Sequence, residues 1–120
     1  MLLVNARAGQ SKIHGIGLIA QEFIPKGTKI WTFCEKFDLV IPENDLAQLS
    51  GPARDQVIWY AYYDPELHVY VLSSDDDRFT NHSDEPNTEN IGEDTFASVD
   101  IPAGTEITWD YRLWLSDDEL

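Results

Sequence analysis

The chain has 120 residues, 42% of them hydrophobic and 12% aromatic, which suits one compact core and argues against disorder. Twenty-two acidic residues against eight basic ones give a net charge of −14, which disfavours direct binding of a phosphate backbone and favours cationic partners. A lone cysteine, Cys34, excludes a disulfide framework within the chain and a cysteine-based zinc cluster.

In chain order, residues 2–6 and 17–24 read as short apolar strands around a turn-rich segment from Gly9 to Gly17. Pro25-Lys-Gly27 is a turn, with proline early and glycine later. Strands are expected at 29–33 and 38–41. Ser50 is placed to cap a helix over about 52–62, where Val57, Ile58 and Ala61 recur at helical spacing. Residues 68–72 alternate and are rich in β-formers. Asp75-Asp-Asp77 then opens a polar loop, a strand follows at 96–99, Pro102-Ala-Gly104 turns, and 106–111 alternates as a final strand. Residues 112–120 form an acidic tail that includes Leu113, Trp114 and Leu115. Short strands at this spacing with one or two helices predict a mainly β (α+β) domain spanning 1–120.

The apolar run at the N-terminus is too short for a signal peptide, and no stretch is long enough to cross a membrane. A soluble, intracellular, cytoplasmic protein is expected, so the Asn81-His82-Ser83 glycosylation sequon is read as coincidence. His14, His68 and His82 are scattered, and Asp75-Asp-Asp77 lacks the glycine and distal glutamate of a calcium loop. No metal site is expected.

Two segments carry the chemistry. Residues 78–88, Arg-Phe-Thr-Asn-His-Ser-Asp-Glu-Pro-Asn-Thr, are too polar for a strand and lack helical spacing, and so read as a tight loop. Glu106-Ile-Thr-Trp-Asp-Tyr111 then presents a phenol beside a carboxylate. A Ser83–His82 catalytic pair is disfavoured, because adjacent side chains point apart. His14-Gly15-Ile16-Gly17 adds a glycine pair, but no third glycine or helix follows to make a dinucleotide fingerprint.

In residues, order and separation these segments resemble the signature of the SET-domain protein-lysine methyltransferases, Asn-His-Ser-x-x-Pro-Asn followed by Glu-Leu-Thr-x-Asp-Tyr. The resemblance implies a fold of small curled sheets in which the C-terminal motif threads beneath the Asn-His-Ser loop, like a pseudoknot. It implies transfer of a methyl group from S-adenosylmethionine to a lysine amine of a basic or histone-like protein, with no metal. Tyr111 matches the catalytic tyrosine. His14, Ile16, Gly17, Asn81 and His82 match positions that contact the cofactor, and Trp114 is placed to cover its adenine. Phe33, Tyr60, Trp109 and Tyr111 are candidate walls of the lysine channel, with Tyr62 and Tyr63 nearby. Phe33 stands where many relatives have tyrosine, and the bulk of Trp109 favours monomethylation.

Many relatives carry cysteine after Asn-His-Ser and zinc clusters on both flanks, whereas this chain has Asp84 and neither flank. A minimal stand-alone SET domain is therefore expected, with its peptide groove and cofactor lid supplied by residues 112–120 or by a second subunit of a homodimer. The alternative is a non-catalytic module of the same fold that binds a basic partner through its acidic face.

Overall fold

The computed structural model describes residues 1–111, so the expected tail and Trp114 lie outside the described residues. In chain order the strands are β1 (Ala6–Gln10), β2 (Ile16–Ala20), β3 (Lys29–Thr32) and β4 (Leu39–Pro42). Helices α1 (Glu43–Leu46) and α2 (Gly51–Tyr60) follow, then β5 (Tyr62–Asp64) and β6 (Val69–Leu72). A 3-10 turn at Asp76–Phe79 leads to β7 (Asn81–His82), β8 (Thr88–Ile91), β9 (Asp94–Ala97) and β10 (Glu106–Trp109). They form three small sheets, ordered β1-β2-β10-β7, β3-β9-β8 and β4-β6-β5. This is the mainly β arrangement with short helices that the spacing of strands and turns predicted.

The first two sheets share one apolar core. Leu18 and Ala20 on β2, Ile30 and Trp31 on β3, Ala97 on β9, Ile107 on β10, and Ile24 and Ile101 between strands are all buried. On β2 and β10, Leu18 and Ile107 are at 0% and 1% exposure and pair across the antiparallel ladder. The two proline-led turns formed as expected. Gly27 and Gly104 take φ of +89° and +86°, a region closed to most side chains, which lets each chain reverse tightly.

Helix α2 begins where predicted. The Ser50 hydroxyl accepts the Ala53 amide at 3.3 Å, and Pro52 occupies the first turn, where a missing N–H costs nothing. No α2 side chain is fully buried. The helix rides on the surface rather than in the core.

Four strand expectations need correction. Regular pairing starts at Ala6, with Leu2 making only an isolated bridge to Trp31. The turn-rich Gly9–Gly17 segment is strand at both ends, where Gly9 pairs with Gly17 and Gln10 with Ile16. Only residues 11–15 turn. The last strand stops at Trp109, since the Tyr111 amide is claimed by the His82 ring. The polar 78–88 segment does hold a strand, β7, which pairs in parallel with β10 through Asn81–Thr108 and His82–Trp109. Its pairing is lent by β10 and leaves no mark on the apolar pattern.

Candidate active site

The C-terminal motif is held by side chains acting as a substitute strand. Asn87 Nδ2 donates to the Glu106 carbonyl at 2.9 Å, and Asn87 Oδ1 accepts the Thr108 amide at 2.9 Å. Thr88 Oγ1 donates to the Thr108 carbonyl at 2.7 Å, and the Ser83 amide donates to that of Trp109 at 2.9 Å. With β2 on one side and β7 on the other, β10 runs under the 81–88 loop and is satisfied from three directions. The expected threading is thus built from one asparagine, one threonine and a loop amide.

That grip delivers Tyr111. Its amide donates to His82 Nδ1 at 2.9 Å, which leaves the ring proton on Nε2, where it donates to Asp84 Oδ1 at 2.9 Å. The Tyr111 hydroxyl donates to the Thr80 carbonyl at 2.6 Å. Its only proton is therefore committed to the protein, and its oxygen keeps lone pairs to offer elsewhere. Burial, aided by the charge of Asp77, pushes this phenol up to about 12, so it stays neutral at physiological pH. It can orient a donor or a polarised carbon, but it is no base.

Asn81 faces the other way. Its Nδ2 lies within 3.0–3.1 Å of Ser11 Oγ, the His14 and Ile16 carbonyls and Glu106 Oε2. Ser11 Oγ in turn donates to Glu106 Oε1 at 2.7 Å. The side chain thus ties the His14–Gly17 turn to β10. Gly17 earns its lack of a Cβ here, since one would sit 2.5 Å from Glu106 Oε2. The family resemblance singled out the glycine pair for backbone approach to a ligand. The close neighbour the structure supplies is Glu106, a residue that sequence reasoning passed over although it opens the second motif. A carboxylate beginning one strand, with a glycine near the start of another, was the available signal.

Two cavities open beside this frame. The larger, about 560 Å³, is lined by Tyr60, Trp109, Tyr111, Thr80, Asp77 and Arg78 together with the α2 end and Tyr63. The smaller, about 290 Å³, is lined by Phe33, Trp109, Tyr62, Asp77, Thr80 and residues of β8 and β9. Tyr62, Asp77, Thr80 and Trp109 belong to both walls. Trp109 packs edge-on against Tyr111 and Tyr62, with centroids 5.2 and 5.7 Å apart.

The sequence-predicted residues are therefore divided. Tyr60, Trp109 and Tyr111 share the larger cavity, and Phe33 lies in the smaller one across Trp109. His14, Ile16, Gly17, Asn81 and His82 gather behind Tyr111 and line neither cavity. His14 and Ile16 are exposed there, and His14 meets Trp59 of α2 at 6.1 Å. Among the described residues no cluster of His, Cys, Asp or Glu is arranged to hold a metal. No helix among them is long and apolar enough to cross a membrane.

Small curled sheets closed around a threaded C-terminal strand, with a neutral phenol beneath the loop, define the SET-domain architecture. Residues 15–112 match the family model of the SET domain, and the chain belongs to that family. Its fold is similar to that of a Plasmodium falciparum protein described as a candidate histone methyltransferase, at 20% identity and a TM-score of 0.63, covering 92% of this chain and 95% of that one. It is also similar to the apo form of a Polycomb Repressive Complex 2 with substitutions in Ezh2, at 20% identity and a TM-score of 0.73. A humanized mutant of the Chaetomium thermophilum Polycomb Repressive Complex 2 bound to an inhibitor matches at 20% identity and 0.68. In both cases 95% of this chain is covered and only 16% of the other. Likeness at this identity speaks to the fold.

Proposed function

We propose that residues 1–120 form one SET domain that transfers a methyl group from S-adenosylmethionine to a lysine side chain of a basic, histone-like protein. One observation supports this most: a neutral phenol, its proton engaged by the Thr80 carbonyl at 2.6 Å, stands in the wall of an aromatic cavity beside Trp109 and Tyr60. Methyl transfer asks for little more than alignment of two partners and exclusion of water.

When bound, S-adenosylmethionine supplies a methyl carbon made electrophilic by its sulfonium. The surface behind Tyr111 fits such a ligand. His14 and Ile16 are exposed there, and Gly17, lacking a Cβ, lets the turn lie against Glu106 of β10. The Asn81 amide hydrogens are spent on the protein, so Asn81 Oδ1 is the atom left to receive a ligand's ammonium. His82 ties that surface to the Tyr111 backbone. Trp114, outside the described residues, is assigned to cover the adenine.

On the target side, the oxygen of Tyr111 orients the amine through its remaining lone pairs. Tyr60 and Trp109 give the larger cavity an aromatic wall, with Phe33 beyond Trp109 in the smaller one, and desolvation against that wall favours the neutral amine. This matters because only about one free lysine in a few thousand is neutral at pH 7. Trp109, wedged between Tyr62 and Tyr111, leaves little room beside the amine, so one methyl group is the expected product. A charge of −14 draws a Lys/Arg-rich target from a distance. A soluble, cytoplasmic setting, and a homodimer that completes the groove, remain part of this reading.

The test is mass spectrometry of core histones incubated with the full chain and S-adenosylmethionine. A one-methyl mass increase is expected, with a rate reduced about 100-fold or more by Tyr111→Phe. Cofactor binding by calorimetry without any mass increase would instead establish the non-catalytic module.

A further inference from the structure

Tyr111 cannot be the group that discharges the incoming ammonium, because it stays protonated at neutral pH. Yet the amine must lose a proton before its lone pair can attack. Of the four described carboxylates that line the cavities, Asp77 alone lines both. Asp77 follows the 3-10 turn's first residue and lies in the wall common to both cavities, with Tyr62, Thr80 and Trp109. Ser73 Oγ donates to its Oδ2 at 2.9 Å, and Thr80 Oγ1 approaches its Oδ1 at 3.4 Å. Thr80 also joins it to Tyr111, since the Thr80 carbonyl accepts the Tyr111 proton while the Thr80 hydroxyl donates to the Asp77 carbonyl at 2.6 Å.

Resting on the proposed methyl transfer, we propose that Asp77 is the catalytic base: its carboxylate takes the proton from the target ammonium at the wall the two cavities share. In balance, R–NH₃⁺ and the Asp77 carboxylate give R–NH₂ and the Asp77 carboxylic acid. The amine lone pair then forms the C–N bond as the methyl–sulfur bond breaks, and that electron pair leaves with sulfur as a thioether. The product is the secondary ammonium R–NH₂⁺–CH₃, and Asp77 returns its proton to solvent through the cavity.

The surroundings tune Asp77 for this work. Burial pushes its carboxyl up to about 6, helped by Asp75 and opposed by the Ser73 and Thr80 hydrogen bonds and the amine of Met1. Tyr62 and Tyr111 face it from β5 and from beyond β10, and both phenols are held protonated partly by its charge. Arg78 and Glu43 line the larger cavity, and Asp64 and Glu93 the smaller. In water a carboxylate and a lysine ammonium differ by about 6.5 in pKa. Raising the acid to about 6 closes about a third of that gap, and desolvation of the ammonium in an aromatic cavity closes more.

The experiment measures methylation of core histones by the full chain, wild type and Asp77→Asn, from pH 6 to 10. Wild-type kcat is expected to level off above about pH 7. The variant is expected to be about 100-fold slower at pH 7 and to climb tenfold per pH unit through pH 9, as solvent takes over the proton. Parallel profiles, or a raised KM with unchanged kcat, overturn the base role and leave the methyl transfer standing. No transfer by the wild type at any pH sinks the proposed function, and this inference with it. A second readout needs neither turnover nor a folded variant: the ¹³C carboxyl resonance of Asp77 in the wild-type chain. A midpoint near 6 supports the assignment, and one near 4 overturns it.

Discussion

The sheets that grip β10 and the segment between β4 and β6 are built on opposite principles. The β1-β2-β10-β7 and β3-β9-β8 sheets supply six mutually packed, buried apolar residues, and Ile24 and Ile101 between strands complete the cluster. In residues 39–72 only Leu46 and Val71 are buried, while Leu39, Val40, Leu49, Ile58, Trp59 and Leu67 stand exposed. The Tyr111 cavity lies between the two, with Tyr111 and Trp109 on the rigid side and Tyr60 and Tyr63 on the loose side. A site that must admit a protein side chain gains from one fixed wall and one that yields. Local stability follows buried contact, so the two halves should open at very different free energies.

The sharpest way to break this contrast is to cut equivalent side chains from each half. Ile107→Ala removes a branched side chain from a site 1% exposed and should cost about 3 kcal/mol in denaturant unfolding. Leu67→Ala, at a site 69% exposed, should change stability by less than about 0.5 kcal/mol. Similar losses at both positions would mean that the middle segment is as well packed as the sheets.

Sequence reading reached into both halves. Apolar runs placed β2 and β3, alternation placed β6 and β10, Ser50 placed the start of α2, proline and glycine placed two turns, and the two polar motifs named Asn81, His82 and Tyr111. Two features left no trace in the pattern. The β7–β10 pairing joins segments about 25 residues apart through two residues without apolar alternation, and only the fold could bring them together. Asp77 looked like one of three solvated aspartates in a turn. Nothing local distinguishes it from Asp76, whose carboxylate accepts the exposed Ala8 amide, because the burial of Asp77 comes from residues distant in sequence. Asn87 received no role of its own from the sequence, yet both ends of its amide are hydrogen-bonded to β10.

The boundary between the halves carries its own cost, and pH exposes it. The folded pKa of Asp77, about 6, lies above the unfolded value of about 3.9, so the folded chain binds this proton more tightly. Asp77 therefore opposes folding fully above about pH 6, and the penalty disappears as pH falls toward 4. Asp77→Asn is expected to raise unfolding free energy at pH 7 by up to about 3 kcal/mol, with the advantage gone below pH 4. A variant that is more stable yet slower is the signature of strain kept for function. Equal stabilities at pH 7 would show that burial costs this carboxylate nothing.

Gly17→Ala sharpens the comparison within the rigid half. The new methyl group would lie 2.5 Å from Glu106 Oε2 and 3.1 Å from Ser11 Cβ, so the Glu106 carboxylate must swing away from Asn81. A loss of about 1–2 kcal/mol is expected, with weaker S-adenosylmethionine binding by calorimetry. Adding Glu106→Ala relieves the clash without restoring the network. In a double-mutant cycle the two changes should therefore cost less together than their sum.

The smallest effect belongs to the loose half and is the most diagnostic of it. Ser50→Ala removes the hydroxyl that accepts the Ala53 amide at the start of α2, a change worth about 1 kcal/mol to the helix. Because α2 buries none of its side chains, fraying its first turn disturbs no packed contact of the core. Amide exchange at residues 53–56 should quicken about fivefold, while the global unfolding midpoint stays put. If the midpoint falls by the full cap energy, α2 unfolds together with the sheets, and the wall opposite Tyr111 is as rigid as the one that carries it.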